Sequence, residues 1–257
     1  MILPLAAREL GGESAPVGVV LHGLLGSSRN WQSAGAALAA HGPRVVALDL
    51  RNHGESPWSE DASFEAMVQD VLAWLDAAGL TSVHLIGHSL GGKVAMRLAC
   101  LYPERVVRLT VVDIAPRAYP GRLRLEFEAM RQLDLATVTS RKSADEALAA
   151  NIPDWALRQF ILTNLTQEPS GAWGWKVNRV ALEKALPRLV DDPLPAGVSF
   201  AGPARLIRGG KSDYVTEADL QLWSQRFPAG DVVTLAESGH NPHFDARSGF
   251  VSAVLNS

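Results

Sequence analysis

Val83-His84-Leu85-Ile86-Gly87-His88-Ser89-Leu90-Gly91 is the stretch whose reading decides the fold. The apolar run 83–86 has the character of a buried strand and a helical pattern begins at Leu90, so Gly-x-Ser-x-Gly falls at a strand-to-helix turn. A serine presented on so sharp a turn sits in strained backbone, and its neighbours two places either way must be nearly free of side chain. The helix that follows aims its first amides at the place where negative charge would develop. Ser89 is therefore the candidate nucleophile. Residues 87–93 also fit Gly-x-x-x-x-Gly-Lys, but Val94 stands where a phosphate loop needs a magnesium-binding hydroxyl.

Outward from this turn, short apolar runs alternate with helical patterns. Runs 17–21, 44–48, 83–86, 107–112, 204–207 and 232–235 read as strands buried on both faces, the signature of a parallel sheet. Phe64, Met67, Val68, Val71, Leu72 and Leu75 recur at three- and four-residue spacing, which predicts an amphipathic helix capped by Asp61 or Ser63 and closed by Gly79. Strand, helix and strand in succession imply right-handed crossovers and an open α/β sheet. The alternation stops after Val112. Residues 115–201 are mostly helical in pattern, with turn signals at Pro153, at Pro169 to Gly171 and at Pro187, and they read as a helical insertion between two sheet strands. Of its aromatics, Phe127, Trp155, Phe160, Trp173, Trp175 and Phe200, most should pack and a minority should line an apolar pocket above Ser89.

Composition bounds what the chain can be. Its 257 residues are 47% hydrophobic and 20% charged, with a net charge of −3 from 24 basic and 27 acidic side chains. No basic block points to nucleic acid, and no apolar run reaches membrane-spanning length. Met1-Ile2-Leu3-Pro4-Leu5 lacks the basic and long apolar regions of a signal peptide. The lone Cys100 excludes an intrachain disulfide framework and suits packing in a reducing, cytoplasmic setting.

A serine hydroxyl needs a neutral imidazole to take its proton. His240, in Glu237-Ser238-Gly239-His240-Asn241-Pro242-His243 beyond the last strand, occupies the place of such a base and is preferred to His243. The pair is no metal site, since no Cys/His cluster supplies further ligands. The loop Leu21-His22-Gly23-Leu24-Leu25-Gly26 can supply a backbone donor from Leu24 to pair with that of Leu90, and His22 reads as a structural residue of this loop. Two carboxylates could orient the imidazole: Asp113, at the end of the run 107–112, and Asp213, after the next strand. From the residues alone each could equally be a loop or cap aspartate.

Together these segments resemble the α/β-hydrolase superfamily over essentially the whole chain, and in particular its small esterases and acyl-CoA thioesterases. The resemblance is carried by residues 21–28, by Asp49-Leu50-Arg51-Asn52-His53-Gly54-Glu55-Ser56, by Gly87-His88-Ser89-Leu90-Gly91-Gly92-Lys93, by Val112-Asp113-Ile114-Ala115-Pro116 and by Arg208-Gly209-Gly210-Lys211-Ser212. It implies a mostly parallel central sheet flanked by helices, with a helical cap inserted after the sixth strand. The core would be residues 1–115 and 202–257, the cap residues 116–201. It implies Asp113 as the acid, although elsewhere in the superfamily the acid lies near Asp213. The activity implied is cleavage of small or acyl esters and thioesters through an acyl-enzyme on Ser89, without metal or organic cofactor. A C–C bond hydrolase or cofactor-free haloperoxidase would use a similar triad, and a binding protein with a silent site is the reading from another class. Dehalogenase and epoxide hydrolase chemistry would need Asp at position 89. Where such relatives carry a tryptophan after the histidine, Asn241-Pro242 stands here, which alters the wall beside the base.

Overall fold

A computed structural model describes residues 1–256. In chain order the strands of its main sheet are β1 (Ala7–Gly11), β2 (Ser14–Leu21), β3 (Pro43–Leu48), β4 (Val83–His88) and β5 (Val106–Val112), then β8 (Ala204–Gly209) and β9 (Gly230–Leu235). Between β5 and β8 lies a short hairpin of β6 (Leu165–Gln167) and β7 (Trp173–Trp175). The seven sheet strands run in the order β1-β3-β2-β4-β5-β8-β9, with β1 antiparallel to β3 and the other neighbours parallel. Each parallel return needs a crossover, and helices supply it.

Alternation along the strands sorts the core into two layers. Val19, Leu21, Val46, Leu48, Leu85, Leu109, Val111 and Leu206 face one layer, and Val20, Val45, Ala47, Ile86, Val112 and Ile207 face the other. The second layer is closed by α1 (Gln32–Ala39) and by α10 (Arg247–Leu255), the helix after the short α9 (Pro242–Asp245). The first is closed by α2 (Phe64–Ala77), α3 (Leu90–Leu101) and α8 (Glu217–Arg226). Helix α2 buries Met67, Val68, Val71, Leu72 and Leu75, and each such side chain removed from water contributes about 1.5–3 kcal/mol. Ser63 caps it, accepting from the Ala66 amide at 3.3 Å, while Asp61 accepts from the Ser63 amide at 3.0 Å.

The insertion contains α4 (Arg124–Gln132), α5 (Arg141–Ala149), α6 (Trp155–Leu162), the hairpin and α7 (Arg179–Leu189). Its Phe127, Leu148, Ile161, Leu165 and Leu182 belong to the same continuous core as α2 and α3. Polar contacts stitch it down as well. The Asn164 side-chain amide donates to Leu25 O at 2.7 Å, and the Asn178 amide donates to Asn52 O at 2.9 Å.

Several expectations change here. The insertion follows the fifth strand in chain order, not the sixth, because residues 1–6 form no strand and only five strands precede it. Pro187 is no turn: it lies in the last turn of α7, where the missing amide costs only one bond near the frayed end. β1, β6 and β7 are strands that the apolar pattern does not announce, being short edge or hairpin segments whose residues, apart from Leu10 and Leu165, are exposed or half-buried.

Candidate active site

The carboxyl ends of β2, β4, β5 and β8 and the loop after β9 converge on one cleft, the place where open α/β sheets bind ligands. Ser89 sits between β4 and α3 with φ 49° and ψ −115°, outside the regions that ordinary residues favour. Such a conformation costs about 1–3 kcal/mol and survives only where the surroundings impose it. They do so by close approach: a Cβ on Gly87 would lie 2.3 Å from Gly91 O, and one on Gly91 would lie 2.3 Å from Leu21 O. The Ser89 amide is tied to Val112 O at 3.1 Å, and its hydroxyl makes no hydrogen bond to another described residue.

Two buried histidines build the loop after β2. His22 accepts the Leu50 amide on Nε2 at 3.0 Å, so Nδ1 carries the proton and donates to Gly23 O at 2.8 Å. His53 likewise accepts the Leu25 amide at 3.2 Å and donates to Arg51 O at 2.9 Å. Burial holds both rings neutral, lowering His22 and pushing His53 down to about 3. The Asp49 carboxylate accepts the Ser28 amide at 2.5 Å and the Glu55 amide at 2.9 Å. Arg51 is fully buried in a two-pronged ion pair with Asp70 of α2, at 2.6 and 2.8 Å. The segment 49–56 is thus a frame for the loop that carries Leu24. Leu24 and Leu90 both line the cleft with Ser89, and neither amide donates to another described residue.

His240, in the loop after β9, directs Nδ1 at Asp113 Oδ2 at 2.8 Å. With a carboxylate as acceptor that nitrogen carries the proton, which leaves the Nε2 lone pair free. The ring stacks on Tyr214 at 3.6 Å, and the neighbouring His88 donates Nε2–H to His240 O at 2.8 Å. Asp113 is fully buried at the end of β5, with a positive φ of 49°. Besides the imidazole it accepts the Gly209 amide at 2.8 Å and the Ser212 hydroxyl. Asp213 stands elsewhere: its side chain is 75% exposed and pairs with Arg122 at 2.6 Å, a neighbour that lowers its carboxyl pKa. His243 turns away from Asp113 and stacks on Trp31 at 4.3 Å, with burial pushing it down to about 3.

The wall of the cleft differs from expectation. None of Phe127, Trp155, Phe160, Trp173, Trp175 and Phe200 lines it; its aromatics are Tyr119 and Tyr214, beside Ile114, Leu123, Leu189 and Val190. The larger rings are spent on packing, as with Phe127 and Phe200, or exposed, as with Trp155. Tyr119 carries no sequence signal pointing to the site, and Ser212 and Lys93 are marked only as members of segments that carry the family resemblance. Among the described residues no cluster of His, Cys, Asp or Glu could hold a metal, and no helix is long and apolar enough to cross a membrane.

A serine on a strained turn after β4, a buried aspartate at the end of β5 and an imidazole in the loop after β9 follow one another in the chain order Ser, Asp, His. Residues 19–247 match the family described as alpha/beta hydrolase fold, and the chain belongs to it. It is 38% identical over 262 residues to the sn-1-specific diacylglycerol lipase ABHD11 of Mus musculus, spanning 99% of this chain and 85% of that protein. It is 30% identical to the esterase YbfF of Escherichia coli, spanning 92% of this chain and 90% of that one. Among solved structures, a marine microorganism esterase superposes with a TM-score of 0.94 at 33% identity, covering 99% of both chains.

Proposed function

We propose that the protein is a serine hydrolase cleaving carboxylic ester or thioester bonds of small or acyl substrates, with Ser89, His240 and Asp113 as its triad. The observation that carries this reading is the 2.8 Å bond from His240 Nδ1 to the buried Asp113, in a loop stacked on the Tyr214 that shares the cleft with Ser89. The relatives' names, diacylglycerol lipase and esterase, point to the same bond type.

In the proposed cycle Ser89 Oγ attacks the carbonyl carbon while His240 Nε2 takes its proton. The imidazolium so formed is stabilised by Asp113. Amides of Leu24 and Leu90 hold the oxyanion. The tetrahedral adduct collapses to an acyl-enzyme, and His240 returns the proton to the leaving alcohol or thiol. Water deprotonated by His240 then releases the acid. This chemistry calls for no metal or organic cofactor. Residues 1–115 and 202–257 form the catalytic core and residues 116–201 the cap over it, and the scarcity of cysteine supports a cytoplasmic setting. The test is Ser89→Ala: it should abolish turnover of p-nitrophenyl butyrate and labelling by a fluorophosphonate while the circular dichroism stays that of the native chain. Turnover retained by the variant would overturn the proposal.

A further inference from the structure

Lys93 ends the glycine-rich stretch that resembles a phosphate loop, and the proposed chemistry leaves it without a task. It lies one turn after the nucleophile on α3, its amide donating to Ser89 O at 3.0 Å, and it is 3% exposed. A buried ammonium is costly unless each donor finds a partner, and here the partners come from the cap. Nζ donates to Asp191 O at 2.5 Å and to Leu189 O at 3.3 Å, and stands 4.9 Å over the Tyr119 ring. Leu189 is the last residue of α7 and Asp191 lies two residues beyond it, so the cation meets one carbonyl that the helix leaves unpaired and one just past its end, near the negative end of its dipole. One turn further along α3, Arg97 donates to Pro193 O and pairs with Glu65 of α2. Two cations on one face of the nucleophile's helix thus hold the strap on which the cap returns to the sheet.

That strap is also a wall of the cleft. Leu189 and Val190 line it, and Val190 O accepts the Tyr119 amide at 2.6 Å. Tyr119 in turn donates its hydroxyl to Tyr214 O at 2.8 Å, beneath the ring stacked on His240. A methionine would fill the volume of Lys93 but could not hold these carbonyls.

We propose that Lys93, seconded by Arg97, is the latch that seats the C-terminal end of α7 on the nucleophile's helix, and that it thereby sets how long an acyl chain the cleft accepts. The inference rests on Ser89 being the nucleophile. Lys93 itself lines the cleft beside Leu189 and Val190, and in this account it is a specificity-determining residue through the position in which it holds them. Burial pushes its ammonium down to about 7, against the attraction of Asp191 and Asp192 and with the repulsion of Arg117; Tyr119 covers its remaining face. The latch is consequently charged below neutrality and holds its carbonyls less firmly above it.

The experiment measures kcat/KM for p-nitrophenyl octanoate and acetate with the full chain, its K93M and K93R variants, from about pH 6 to about pH 8.5. The read-out is the octanoate-to-acetate ratio, in which any pH effect common to both esters cancels. In the wild type the ratio should rise about threefold as the pH passes neutrality, because the wall loosens. K93M should raise it about fivefold and make it independent of pH. K93R, charged throughout, should keep it pH-independent at the low-pH value. A K93M ratio within about twofold of wild type, or below it, overturns the proposal. If K93M does not fold, the wild-type profile decides, and a ratio flat with pH overturns it. Failure of the underlying reading looks different: Ser89 would take no fluorophosphonate and the wild type would turn over neither ester.

Discussion

Replacing Asp113 by Asn separates the two candidate acids, because the structure gives them unequal work. The Asp113 carboxylate meets three donors: the His240 ring, the Gly209 amide and the Ser212 hydroxyl. Asn offers one oxygen in place of two, so with Gly209 satisfied its NH2 faces His240 Nδ1. The imidazole must then accept at Nδ1 and carry its proton on Nε2, the tautomer that cannot deprotonate a serine. A wrong tautomer in a triad of this kind costs about 10⁴ in kcat, or about 5.5 kcal/mol. Asp213→Asn breaks an exposed ion pair with Arg122, worth about 0–1 kcal/mol, so its effect should stay within about fivefold. Hydrolysis of p-nitrophenyl butyrate near pH 8, with folding checked by circular dichroism, should therefore show about three decades between the two variants. An Asp113→Asn enzyme within about tenfold of wild type, or an Asp213→Asn enzyme as crippled as it, would refute the reasoning.

The buried histidines make the fold acid-labile. His53, His84 and His243 are held down at about 3, and His22 and His88 are also lowered, in each case chiefly by burial. Their folded pKa values lie below the unfolded value near 6.5, so the unfolded chain takes up protons first as pH falls. Stability is full above about pH 6.5 and drains below it, by up to about 1.4 kcal/mol per pH unit for each ring. Tryptophan fluorescence should report cooperative unfolding between about pH 4 and 5.5; a native signal persisting at about pH 3.5 would contradict this. Asp70→Asn should break the buried two-pronged pair and leave the fully buried Arg51 with only the exposed Asp61 carboxylate at 3.8 Å, at a cost of about 3–5 kcal/mol. For a chain of this size that lowers Tm by roughly 6–20 °C in a calorimetric scan, and a shift under about 3 °C would deny the pair its structural weight.

What could be read beforehand follows from how far a contact reaches along the chain. The turn at Ser89 was legible because its causes are local: a strand of six residues, small neighbours and a helix start. The helix α2 was legible from its own periodicity and its cap. From the residues alone Asp113 and Asp213 are alike, since both follow strands and the contact of Asp113 with His240 spans 127 positions; only the family resemblance favours Asp113. Lys93 was opaque for the same reason: its partners lie 96 and 98 positions away, on carbonyls that any residue type would present. Aromatic content does not foretell the cleft wall, because it says nothing of direction. Trp155 points outward and Phe127 inward, while the ring that meets His240 belongs to Tyr214, a residue of the β8–α8 turn.

The site of the insertion has a consequence for how such a protein can change. The chain leaves the sheet at the end of β5 and returns to start β8 directly beside it, Leu109 pairing with Ala204. A parallel pair demands only that something carry the chain back along the sheet, and leaves the content of that passage open. On the proposed cap boundaries, an exchange of residues 116–201 would leave the pairing of β5 with β8 outside the exchanged segment, but it would open the core that Phe127, Leu148, Ile161, Leu165 and Leu182 help to close. The seams would have to travel with the graft: an amide for Leu25 O, a donor for Asn52 O, and carbonyls for the lysine one turn behind the serine. A replacement for the proposed cap would have to bring both that apolar face and these fastenings.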